Sequence, residues 1–111
     1  MTWIPISSET FENILREEIE TLPADVLRIY KQYAVVPFEQ PCFRDDEYPN
    51  DRVFVAARAG DRLLFFDDVE EDFGVGIADS DGVLRDLSGY GPLLRAVIVL
   101  HEEATGSPTV R

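Results

Sequence analysis

The spacing of apolar residues changes period twice along this chain, and that narrows the folds open to it. Phe11, Ile14, Leu15, Ile19 and Leu22 recur at helical intervals, and Val26, Leu27, Ile29, Tyr30 and Tyr33 continue the series. From Arg52 the pattern alternates: Val53, Val55 and Ala57 against Phe54, Ala56 and Arg58, then Phe73, Val75 and Ile77 against Gly74, Gly76 and Ala78. After Pro92, residues Leu93, Leu94, Val97, Ile98 and Leu100 are apolar around much of a helix. A helix repeats every 3.6 residues and a strand every two. The order is therefore two N-terminal helices, a sheet and a C-terminal helix packed on it, an α+β class.

Punctuation places the boundaries. Ser7 caps the first helix, with Ile6 and Phe11 set as a hydrophobic staple. Pro23 and Pro92 suit the first position of the second and last helices, and Gly106-Ser107-Pro108 ends the last one. Strands are expected over Arg52–Arg58, Arg62–Asp67, Phe73–Ala78 and Val83–Leu87. Gly60-Asp61 and Asp81-Gly82 read as tight turns, the second a two-residue type I′ hairpin. Four sequential strands joined this way make an antiparallel meander. Val36 to Asp51 shows no period and carries Pro37, Pro41 and Pro49, so it reads as a long loop. Val35-Val36 or Cys42-Phe43 could supply a short strand within it. The helices are expected on one sheet face, with the other partly solvated beside Arg52, Arg58 and Arg62. Gly74 and Gly76 leave one side of their strand bare, which suits close approach of another element.

The 111 residues make a single domain, 1–111. A 45% apolar content with seven Phe disfavours disorder despite the charge. That charge is lopsided: 22 acidic side chains against 10 basic, net −12. Phosphate neutralisation needs a basic footprint, so nucleic acid is disfavoured as a partner, and an anionic membrane surface is disfavoured for the same reason. A lone cysteine, Cys42, makes no intrachain disulfide and fits a cytoplasmic setting. The start of the chain lacks the charge and apolar run of a signal peptide, and Ala96–Leu100 is too short to span a bilayer.

Five carboxylates crowd into Asp67-Asp68-Val69-Glu70-Glu71-Asp72, between Leu63-Leu64-Phe65-Phe66 and Phe73. Like charges at this density repel unless water, a cation or a basic partner offsets them. At a hairpin connection they read either as a solvated turn or as a surface for a basic protein, presented outward. Asp45-Asp46-Glu47-Tyr48 with Asp51 repeats the theme and adds Tyr48 as an aromatic anchor. Calcium also uses clustered carboxylates, but the EF-hand spacing is missing, so no metal site is assigned. His101 and Cys42 are the sole candidates for a nucleophile–base pair. The chain is too small to give paired carboxylates a sugar cleft. Gly74-Val75-Gly76 lies between strands and lacks a third glycine, so it is no phosphate loop. No cofactor is implied.

The stretch Ala56-Ala57-Arg58-Ala59-Gly60-Asp61-Arg62-Leu63-Leu64-Phe65-Phe66, the acidic run through Asp72-Phe73, and the Asp81-Gly82 turn resemble, in architecture and charge, the small acidic immunity proteins of bacterial toxin–immunity systems. The resemblance implies a non-enzymatic cytoplasmic protein that occludes the active site or substrate groove of a cognate basic toxin. Asp67, Asp68, Glu70, Glu71 and Asp72 would then face the toxin, with Asp45, Asp46, Glu47, Tyr48 and Asp51 extending the contact. Two other classes compete: a small enzyme or ligand-binding subunit with a pocket under residues 36–51, and a regulatory or assembly homodimer joined through the open sheet face.

Overall fold

The structure, a computed structural model, describes residues 5–46 and 50–106. Helix α1 (Ser8–Glu20) begins at its capping chemistry. The Ser7 hydroxyl accepts the Thr10 N–H at 3.1 Å, and the Ser7 carbonyl accepts the Phe11 N–H at 3.0 Å. Those are donors that a helix start otherwise leaves open. Helices α2 (Ala24–Tyr33) and α3 (Leu93–Thr105) each follow a proline, Pro23 and Pro92, standing one position before the first helical residue. Gly106 ends α3 with φ 70°, the left-handed conformation that glycine adopts without penalty.

Strands β1 (Ala34–Cys42), β2 (Asp51–Ala59), β3 (Arg62–Asp67) and β4 (Asp72–Ile77) form one antiparallel sheet in that order. The α+β layout and the meander are those the periodicity predicts, but two of the strands differ. The stretch expected as a loop is β1. Its prolines fall where an edge strand tolerates them. Pro37 lies in a bulge, where the register shifts between Ala34 and Phe38. The Pro41 carbonyl points away from β2, to the Leu84 N–H at 3.0 Å. The expected strand Val83–Leu87, in contrast, makes only isolated bridges. Its turn closes over three residues, with Gly82 at φ 76° and the Asp79 carboxylate accepting the Asp81 and Val83 N–H groups. The two-residue type I′ hairpin expected there is therefore not formed.

The core lies on both faces of the sheet. On the helix side Phe11 is fully buried and stacks on Phe54, with ring centroids 4.8 Å apart and planes 6° from parallel. Phe66, Phe73, Val97 and Leu100 complete that layer. The opposite face, expected to be partly solvated, buries Cys42, Val53, Val55, Leu63, Phe65 and Leu84. The segment 78–89 covers it as a strap. Leu84 bridges Cys42 at one outer strand and Ala78 just beyond the other. In a flat sheet those strands would stand about 14 Å apart, three spacings of about 4.8 Å. The sheet therefore curls around Leu84, and among the described residues this face is covered, not open as expected.

The glycines of β4 permit the strap. A Cβ on Gly74 would sit 2.4 Å from the Ser88 carbonyl oxygen, and one on Gly76 would sit 2.8 Å from Leu84. Close approach is thus the reason for both. Among the described residues no helix is long and apolar enough to cross a membrane.

Candidate functional site at the acidic end of the sheet

The antiparallel register brings the end of β1, the start of β2, the end of β3 and the start of β4 to one rim: Cys42 pairs with Asp51, and Asp67 with Asp72. Both acidic stretches therefore converge. Like charges directly opposite one another on neighbouring strands, as at Asp67 and Asp72, destabilise a sheet. Two arginines offset this. Arg44 grips Asp67 with both terminal nitrogens at 2.8 Å and bonds Asp51 through Nε. Arg52 reaches Asp68 at 3.0 Å and the Ile6 carbonyl at 3.0 Å, and its guanidinium lies 4.4 Å over the Phe54 ring. Asp68 also accepts the Ile6 N–H at 3.1 Å, so it ties the chain before α1 to the sheet.

The acidic run is therefore divided, contrary to the expectation that it projects outward as a whole. Asp67 is 2% exposed and Asp68 6%. With the half-buried Asp51 they are held by this chain's own arginines and form the inner part of the rim. Glu70 and Glu71 stand exposed on the β3–β4 turn, and Asp72 is half-buried beside it. These three, and exposed Asp46, make no ion pair among the described residues. Asp45 is exposed as well. Glu47 and Tyr48 lie outside the described residues.

Below the turn a groove of about 460 Å³ runs between α1, the turn and the head of α3. Ile14, Phe66, Phe73 and Pro92 give it apolar walls, and Glu18, Glu71 and Asp72 give it carboxylates. Sequence reasoning missed Glu18. Its carboxylate accepts the Leu93 N–H at 3.0 Å and so caps α3 from another helix. The available signal was indirect: Pro92 is preceded by no Ser, Thr, Asp or Asn that could cap α3 locally.

Cys42 and His101 are not brought together. Cys42 is 1% exposed on the strap face, and burial pushes its thiol up to about 11, with Arg44 opposing and Asp51 and Asp67 reinforcing the rise. His101 lies across the sheet, its Nδ1 hydrogen-bonded with the Tyr33 hydroxyl at 2.9 Å. A thiol held protonated, far from the one histidine, is no activated nucleophile. Among the described residues no three His, Cys, Asp or Glu side chains are grouped to hold a metal ion.

Burial works to raise the Asp51 carboxyl, but the Arg44 hydrogen bond, the Arg52 backbone N–H and the two guanidinium charges outweigh it and hold it below its ordinary 3.8. An unfolded chain then binds this proton more readily than the folded one. The stability Asp51 contributes is complete above the ordinary value and is lost as pH falls through the lower, folded one. Asp51→Asn should accordingly cost stability at pH 6, with the gap to wild type closing as pH falls below about 4 in urea titrations. A gap that stays constant through that range would contradict this origin.

No family model matches the sequence, and the comparisons with curated proteins and with solved structures return no match.

Proposed function

We propose that this protein is a stoichiometric inhibitor of a basic protein, of the immunity type, and that the acidic end of the sheet is its binding surface. One observation carries the reading: the chain neutralises Asp51, Asp67 and Asp68 internally, yet leaves Glu70, Glu71, Asp72 and Asp46 without a basic partner among the described residues, on the same rim. The inner ion pairs brace the turn, so the outer carboxylates stand on a fixed support. Preorganised charge of one sign steers an oppositely charged protein and forms charge-assisted bonds on contact. Val69, 40% exposed at the turn, adds apolar area to the same tip. Occlusion needs no turnover, which agrees with a Cys42 thiol kept protonated and distant from His101.

The test is a triple variant, Glu70→Gln, Glu71→Gln and Asp72→Asn, compared with wild type in capture from the native cell at low and high salt. The wild type should retain one basic protein in equimolar amount and release it at high salt, because screening weakens contacts between exposed charges. The variant should associate at least about tenfold more slowly. A basic partner bound equally by both forms, or a stoichiometric partner that is acidic, would overturn the reading.

A further inference from the structure

Resting on that reading, we propose that the groove between α1, the β3–β4 turn and the head of α3 seats an arginine side chain of the partner. The chain already builds this arrangement from its own residues at the same end of the sheet. Arg52 lies 4.4 Å over Phe54 while bonded to Asp68, and Arg44 holds Asp67 through two parallel bonds. Guanidinium favours such places because it is flat, stacks on rings and matches a carboxylate with two donors, whereas an ammonium offers a point charge. The groove offers related components: Glu71 and Asp72 at its rim above apolar walls of Ile14, Pro92 and the small exposed parts of the buried Phe66 and Phe73, with no basic side chain among the described residues lining it. Its volume of about 460 Å³ is in the range of small-ligand sites.

The head of α3 would ordinarily repel a cation, since a helix start carries partial positive charge. Here Glu18 answers it by accepting the Leu93 N–H, and the same carboxylate adds to the groove's negative charge. Both the charge and the apolar walls therefore suit an alkyl stem ending in guanidinium, as snorkelling side chains require.

The experiment titrates the full-length protein, followed by amide NMR at low salt, with acetyl-Gly-Arg-Gly-amide and with the same peptide carrying citrulline, the neutral isostere. The arginine peptide should shift the Glu18, Glu71, Asp72, Phe73 and Gly91 amides with a Kd in the range of about 1–10 mM. The citrulline peptide should leave them in place, and Glu71→Gln, an exposed change that keeps the fold, should weaken the arginine peptide by about threefold or more. Equal shifts from both peptides, or arginine shifts spread over Glu9, Glu12 and Glu17 of α1, would overturn the groove. The outcome is separable from that of the function. If a basic partner still binds with salt sensitivity while the peptide ignores the groove, only the groove proposal falls. If the peptide seats there and no basic partner exists, the inhibitor reading falls and with it the partner as the source of the arginine, while the groove stands as an arginine site.

Discussion

Replacing Arg44 with methionine should destabilise the protein by about 3–5 kcal/mol, the usual cost of removing one member of a buried ion pair. The magnitude follows from what is left behind. Asp67, 2% exposed, would lose the two bonds at 2.8 Å that now offset its burial. It would also face Asp72 directly across the sheet, and Asp51 would lose its Arg44 bond at the same time. Among the described residues, only the Val69 N–H, at 2.9 Å, would still answer the Asp67 carboxylate. A domain stability of about 5–15 kcal/mol makes this a large fraction of the whole.

The double variant Arg44→Met with Asp67→Leu separates the causes. A buried pair replaced on both sides by apolar groups is often neutral or stabilising, so the double variant should recover much of the loss in urea or thermal unfolding. If the single variant costs under about 1 kcal/mol, the pair behaves as a solvated surface bridge and the division of the acidic run into inner and outer parts fails. If the double variant is worse than the single, the carboxylate has a further partner that the ion pair conceals. The prediction also reaches function: the outer carboxylates are offered rigidly only because Arg44 fixes the strand ends beneath them. Arg44→Met should therefore weaken a basic partner even though it makes the protein more acidic.

What the sequence disclosed was what local chemistry decides. The Ser7 cap, Pro23, Pro92 and Gly106 act within a turn of their own position, and the helices lie where they say. β2, β3 and β4 alternate, or run apolar, within their own residues. β1 was illegible because a proline reads as an interruption until it is known which strand edge it faces, and that depends on Leu84, 43 positions beyond Pro41. Val83–Leu87 has a strand's alternation but not a strand's neighbours. The acidic run could be read as a cluster, yet its division is set by Arg44 and Arg52, 23 and 16 residues distant. Counting charge along the chain cannot show which carboxylates those arginines take. The bare side of Gly74 and Gly76 was the exception, a local signal of a distant contact.

That exception gives the other large effect, in Gly74→Ala. A Cβ there would lie 2.4 Å from the Ser88 backbone oxygen and 2.6 Å from the Phe65 ring, both inside the limit that real carbons respect. Phe65 is fully buried and cannot swing into water. The Ser88 backbone is fixed by its neighbours: Gly89 bridges Gly74, and Tyr90 donates to the Phe73 carbonyl at 2.7 Å. Something must move, so overpacking should cost about 1–3 kcal/mol. This occurs although alanine normally loses less entropy on folding than glycine and would otherwise be the stabilising choice. Adding Phe65→Leu relieves the ring but not the carbonyl. If the strap is the true obstacle, that second change should rescue little, and amide exchange should quicken along residues 84–90 in Gly74→Ala. If Phe65→Leu restores stability and the strap amides stay protected, the ring alone set the requirement. A neutral or stabilising Gly74→Ala would mean that the strap stands farther from β4 than these distances allow. The same displacement would then reach Gly91 and Pro92, because the strap continues directly into the head of α3, so the mutation reports on the groove as well as on the core.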